Sequence, residues 1–316
     1  MQDQQRMAAR HSSVTLGAVL CAAAVVGCQR SHIPLPALTT ATIGDTVGLV
    51  ARGEYIVRNV AVCGQCHAEE PRRNRDGPLS GGMEFSNRRI GTARASNLTP
   101  DSATGLGAWS DAEIVRALRN GQSKDGRLLI PVMPYEWFHG MSDRDALAVA
   151  RYLHGLPPVR NEVRQSPNFW FRLGKLLFLG PKPPISTAAP PQGATVEYGA
   201  YVSQHVALCA DCHTPRSGIR AAPDRQRLFA GMTDPPGGFP ANPSNLTPDS
   251  ATGIGEWSEE QFLRTLRTGV NPQGDSLHPF MPWREVRRMS DGDLRAIYRF
   301  LRSVPSIHNE VPRERR

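Results

Sequence analysis

Two stretches of the sequence combine residue types that act chemically as a unit: Cys63-Gly64-Gln65-Cys66-His67 and Cys209-Ala210-Asp211-Cys212-His213. In a Cys-x-x-Cys-His run, two thiols stand ready to bond the vinyl groups of a porphyrin and the following imidazole is placed to ligate its iron. With six Cys and nine His in 316 residues, even one such run by chance is an event of roughly a few in a thousand. Two runs imply two covalently bound haems of the c type. A zinc site would use paired Cys motifs about 15–20 residues apart, whereas position 209 lies 146 beyond position 63. A thioredoxin-like dithiol would follow a strand in a βαβ pattern, and neither run does.

A six-coordinate haem needs a second axial ligand besides His67 and His213, usually Met or His. Met133 and Met281 each precede a Pro in a loop ahead of the last helix of their half. A Met there has no helix face to fill, and its duplicated position points to iron rather than to the gap-filling use of Met in cores. His278 competes, three residues before Met281, but its counterpart in the first half is Ile130. His139, His154 and His205 stand in no motif and read as structural. Trp109 and Trp257, with Asn97 and Asn245, are candidates for the haem edge, where indole and amide donors suit buried propionates.

The elements that must hold these residues are written twice. Residues 53–62 read as a short helix leading into the first motif, with Tyr55, Ile56 and Val60 apolar, and the Arg-, Gly- and Ser-rich residues 71–96 read as a long loop. Residues 97–105 form a turn. Ser110 and Glu113 then have the spacing of a capping box, opening a helix that buries Ile114, Val115 and Leu118 and stops near Gly121. A last helix opens at Ser142 and buries Ala146, Leu147, Val149, Ala150 and Leu153 before Pro157-Pro158. Residues 245–253 repeat residues 97–105 without a change at an offset of 148, and Trp257, Ser258, Met281 and Pro282 keep that offset. Such a period is too long for a solenoid and means tandem domains. The expected fold class is all-α, with domains over residues 51–161 and 199–310, a connector over 162–198 and a basic tail over 311–316. The connector holds an apolar, doubly charged run at 168–179 and a Pro-rich strap at 181–191, read as packing against both domains.

Residues 1–27 read as an export signal, with Arg6 and Arg10 ahead of an apolar run too short to span a membrane. The run ends Val25-Val26-Gly27-Cys28, which resembles a bacterial lipobox and implies a lipidated Cys28 at the head of a tether over residues 28–50. Cys21 would leave with the signal, so four Cys would hold haem and none would remain for a disulfide. The formal charge of +8 is scattered and matches no nucleic-acid motif. It suits docking on an acidic redox partner or an anionic membrane surface.

Taken together, the haem runs, Asn-Leu-Thr-Pro-Asp-x-x-Thr-Gly-x-Gly-x-Trp-Ser, Met-Pro, and the closing Ser-Asp helix resemble the class I cytochrome c domains in multihaem subunits of periplasmic alcohol, aldehyde and gluconate dehydrogenases. The resemblance covers both halves. It implies haem attachment at Cys63, Cys66, Cys209 and Cys212, iron ligation by His67, Met133, His213 and Met281, and a periplasmic, membrane-anchored electron carrier. Expected partners are a dehydrogenase donor and an oxidase, cytochrome or quinone-linked acceptor, with no nucleic acid and no chemistry of its own beyond electron transfer. Those subunits commonly have three such domains, whereas this chain has two. Two alternatives remain at this stage: a dihaem peroxidase, which would need one iron with a displaceable ligand, and a subunit that anchors a dehydrogenase.

Overall fold

A computed structural model describes residues 33–36, 46–70, 74–87, 91–169, 171, 173, 179–217, 222–235 and 240–312. The export signal, Cys28 and most of the apolar run at 168–179 lie outside the described residues.

Each half is framed by two helices crossing at a glycine. In the first, α1 (Thr46–Tyr55) packs on α5 (Asp143–His154). A Cβ on Gly53 would sit 2.0 Å from the Ala148 carbonyl oxygen, so only Gly allows the two backbones to approach this closely. In the second, α6 (Val196–Tyr201) packs on α10 (Asp291–Ser303), and a Cβ on Gly199 would meet the Ala296 oxygen at 1.9 Å. The helix α1 begins inside the stretch read as tether and ends before the motif.

Between these framing helices lie the motif helices α2 (Gly64–His67) and α7 (Cys209–His213), the capped helices α3 (Asp111–Asn120) and α8 (Glu259–Thr268), and single turns α4 (Tyr135–Phe138) and α9 (Trp283–Val286). Local chemistry sets α3 as expected. Ser110 accepts from the Glu113 N–H while the Glu113 carboxylate accepts from the Ser110 N–H, and Gly121 closes the helix at φ 72°. The same box, with Gln261, opens α8. Such a cap contributes about 1 kcal/mol.

The expectation of an all-α fold is corrected by two small antiparallel sheets. Strands β1 (Glu84–Asn87) and β2 (Gly91–Arg94) form a hairpin, and β3 (Ser166–Pro167) from the connector adds to its edge. A two-stranded piece, β4 (Arg216–Ser217) and β5 (Ala222–Pro223), follows the second motif. The reason is non-local pairing. The Arg-, Gly- and Ser-rich segment has no apolar alternation to mark strands, and its edge is completed by residues more than 70 positions away, with Arg94 N–H donating to the Gln165 side chain at 2.8 Å and that side chain donating back to the Arg94 oxygen.

The halves face each other through a reciprocal clasp. Tyr55 donates to Asp293 at 2.6 Å and accepts from the Ser290 N–H at 2.8 Å; Tyr201 donates to Asp145 at 2.7 Å and accepts from the Ser142 N–H at 3.1 Å. Burial pushes both phenols above their ordinary values, so each stays a donor. Core residues from both halves join into one apolar cluster that includes Val57, Trp137, Tyr201 and Met289.

Candidate haem sites

Each motif is delivered by the same irregular backbone. The helix α1 runs into a π-helical turn, Ile56–Val60, and α6 into another, Val202–Val206. Next comes a residue in the left-handed region, Val62 at φ 47° and Leu208 at φ 57°. Left-handed backbone at a β-branched Val is a strained conformation, costing about 1–3 kcal/mol, and it recurs at functional sites. Here it turns the chain immediately before Cys63 and Cys209. Sequence reasoning expected an ordinary helix through this stretch. Gly64 also has a reason to be Gly, since its Cβ would meet the Arg75 oxygen at 1.8 Å.

Both imidazoles are oriented in one way. His67 Nδ1–H donates to the Ser96 carbonyl at 2.8 Å, and His213 Nδ1–H donates to the Ser244 carbonyl at 2.7 Å. A carbonyl can only accept, so Nδ1 carries the proton and Nε2 keeps its lone pair for a metal. Burial lowers both imidazole pKa values, which keeps the rings neutral. Ring orientation and tautomer are therefore those of a ligating His.

The four thiols are free, not disulfide-bonded. Part of each thiol residue's surface stays open, yet the protein packed around it desolvates the sulfur. Burial pushes Cys63 and Cys209 up to about 12 and Cys66 up to about 11, and raises Cys212 further. Neutral thiols at these values are poor attacking groups in disulfide exchange, unlike the depressed thiols of redox motifs. Among the described residues no three His, Cys, Asp or Glu side chains gather as a bare metal ion would require. The donor set instead fits haem: two uncharged thiols beside one imidazole with a free Nε2, in duplicate.

Met133 and Met281 are half-buried and pack on the same core cluster as Cys63, Cys209, Leu98, Leu246, Trp109 and Trp257. Both sit in a turn, the Met133 N–H bonding the Ile130 oxygen and the Met281 N–H the His278 oxygen, each at 3.0 Å. His278 is held locally, its Nδ1 accepting from the Phe280 N–H at 3.1 Å. Asn97 and Asn245 have another task. Asn97 Nδ2 donates to Thr104 and to the Val159 carbonyl, and its Oδ1 accepts from Thr99 twice; Asn245 does the same with Thr252, Ile307 and Thr247. These amides pin the repeated turn to the chain after the last helix, leaving none of their hydrogens for a propionate. His154 pairs with Asp111, His139 donates to the Arg119 oxygen, and His205 donates to the Trp137 oxygen at 2.8 Å, as structural histidines do.

Each motif abuts the other half's methionine loop or the turn after it. Gln65 donates to the Phe280 carbonyl at 3.0 Å, next to Met281, and Arg75 reaches the Pro279 carbonyl and pairs with Glu285 at 2.8 Å. On the other side Asp211 lies against Trp137 and pairs with Arg216, and its carboxyl is pushed up by burial. The two motifs thus lie on one shared interface.

No protein-family model matches the chain. It is 30% identical over 269 residues to the "Diheme cytochrome c-type" of Cereibacter sphaeroides, covering 82% of this chain and 87% of that one. The chain belongs to the dihaem c-type cytochromes. This cytochrome is also 32% identical over 270 residues to the gluconate 2-dehydrogenase cytochrome c subunit of Pantoea cypripedii, and 31% identical over 277 residues to the cytochrome c subunit of the quinone alcohol dehydrogenase of Gluconobacter oxydans. Those matches take in 81% and 82% of this cytochrome but only 59% and 55% of the relatives, so it spans little more than half their length.

Proposed function

We propose that the protein carries single electrons for a dehydrogenase, through two haems c that this chain attaches and ligates. Cys63 and Cys66 would hold one haem and Cys209 and Cys212 the other, with His67 and Met133 ligating the first iron and His213 and Met281 the second. When bound, each haem supplies a one-electron ferric–ferrous couple, and Met ligation in a dry pocket raises its potential. The chain's own residues do the rest. The Ser96 and Ser244 carbonyls hold the imidazoles in orientation and raise their basicity. Trp109 and Trp257 line the haem edges. Gln65, Arg75 and the Tyr clasps fix the two motifs against each other, so the two halves keep one mutual arrangement.

The observation that carries this reading is the duplicated, Nδ1-locked imidazole beside a pair of neutral thiols. With a Met sulfur as second axial ligand opposite each His, neither iron would be open, which speaks against a peroxidase. The donor is a periplasmic dehydrogenase of the kind its relatives serve, the acceptor an oxidase, another cytochrome or a quinone-linked enzyme. Cys28 carries a lipid that tethers the cytochrome to the membrane; no helix among the described residues is long and apolar enough to cross one.

The test is an optical spectrum of the exported, matured protein. Two haems per chain with the far-red sulfur-to-iron band of Met-ligated ferric haem are expected, and Met133→Ala and Met281→Ala should each remove half of that band. A colourless chain overturns the haem assignment. A high-spin signal from half the haem in the unaltered protein overturns the carrier role.

A further inference from the structure

The two halves differ most on the outer face of the capped helix. In the first half this face is covered by two extended segments of the chain itself. The Ile33 N–H donates to Gln122 Oε1 at 2.7 Å. The strap at 182–187 then runs across the helix end: Lys182 N–H donates to the Asn120 oxygen, Asn120 Nδ2 donates to the Pro183 carbonyl at 2.6 Å, and Arg119 Nη2 donates to the Ile185 carbonyl at 2.5 Å. Ser186 Oγ donates to Asp143 Oδ2, and the Asp143 N–H donates to the Thr187 carbonyl. Under this cover Arg119 is only 1% exposed.

The second half keeps the reading groups, and no segment among the described residues covers them as the strap covers the first half. Arg119 and Asp143 recur as Arg267 and Asp291, which pair with each other as in the first half, while the other Arg267 nitrogen donates to the Arg287 carbonyl and leaves its remaining N–H groups for a strap. The Arg267 side chain is 32% exposed and that of Asp291 63%. Thr268 stands where Asn120 does, Val270 where Gln122 does, and Arg264 where Arg116 does; all three are exposed.

We infer that this face, Arg264, Arg267, Thr268, Val270 and Asp291, is a docking site for an extended, Pro-containing segment of a partner polypeptide. The first half shows the chemistry required: a carbonyl for the side-chain amide, a second carbonyl two residues on for the guanidinium, then a hydroxyl for the carboxylate. Pro suits the strap because it presets an extended backbone and removes donors the face does not need. A second copy is a poor occupant, since its own strap is engaged on its own first half. The relatives are themselves named as subunits of larger enzymes, where a partner chain with such a segment is at hand. The inference concerns peptide recognition and stands apart from the haem assignment.

The probe is a synthetic peptide copying residues 181–188, titrated calorimetrically into the haem-loaded full chain. Saturable one-to-one binding in the low millimolar range is expected, because a short strap in trans lacks the effective concentration it has in cis. Asp291→Asn and Arg267→Ala should each weaken it about tenfold, while Thr268→Asn, which restores the Asn120 donor, should tighten it about threefold or more. Arg164→Ala, on a remote exposed side chain, should change nothing. Absence of saturation at the peptide's solubility limit, or equal binding by the Asp291 and Thr268 variants and the parent, overturns the inference. So does self-association in sedimentation that disappears in Asp291→Asn, which would make a second copy the occupant.

Discussion

On the first half, segments at 33–36 and 182–187 run over the capped helix and bury Arg119; on the second half the matching helix, with Arg267 and Asp291, meets water. Inside, the halves hardly differ. The nine-residue turn repeats its hydrogen bonds to within 0.2 Å around Asn97 and Asn245. Both motifs sit behind a π-helical turn and a left-handed residue. Duplication therefore kept what positions the thiols and imidazoles and let the outside diverge. The midline diverged too: Gln65 is neutral where Asp211 carries a buried carboxyl beside Arg216, and Arg52 reinforces Asp145 with two bonds of 2.9 Å where the second half has Tyr198. The two irons would thus sit in different fields within one scaffold.

The strongest way to break the comparison is to disarm one half. Cys209→Ser with Cys212→Ser should lower the haem content from two per chain to one, and Cys63→Ser with Cys66→Ser should do the same, read by haem quantitation and mass spectrometry. If either pair abolishes both haems, the halves do not load independently. Next in size are the two helix crossings. Gly53→Ala and Gly199→Ala each force a methyl group into a carbonyl oxygen and should destabilise the protein by about 3 kcal/mol, seen as matching falls in Tm. Unequal falls would show that the strapped half resists distortion better.

A smaller effect is expected at the midline. Glu285→Ala strands Arg75, whose side chain is 15% exposed, and should cost about 2 kcal/mol, below the figure for a fully buried pair. Urea unfolding followed separately at each haem should show the halves uncoupling. The smallest effect belongs to Arg288 and Asp76, a half-exposed pair across the same interface at 2.8 Å. Its hydrogen bond from Arg288 holds the Asp76 carboxyl below the usual range, so its contribution is whole above the carboxyl's unfolded-state value and fades as pH falls through the lowered one. Solvent limits it to under about 1 kcal/mol. Asp76→Asn should flatten that slight acid dependence and leave stability at neutral pH nearly unchanged.

What could be read from the sequence was what the chain specifies locally. Ser110, Glu113 and Gly121 fix a helix by themselves, and so does Ser142, whose helix buries the expected apolar set. The Cys-x-x-Cys-His runs announce their ligand by residue type, and the Met-Pro loops stand out because they occur twice. The features that were not legible depend on distant partners. Strands β1 and β2 carry little alternation and are completed by Ser166–Pro167. The left-handed Val62 has no sequence signature, because Val is among the last residues expected there. Tyr55 reads as an apolar helix position, yet its hydroxyl, like that of Tyr201, reaches a carboxylate in the opposite half. Trp137 and His205 were placed by the same contact, visible only once both halves are docked.

The paired tyrosine contacts carry a historical consequence. A surface whose donor fits an acceptor on its own duplicate is isologous, the form that a twofold homodimer uses. An ancestral one-haem protein bearing Tyr and Asp at these places could dimerise before any gene fusion, and fusion needed only a linker long enough to join the two copies. Expressed alone, residues 46–161 would expose that surface again, and two copies would recreate the symmetric parent.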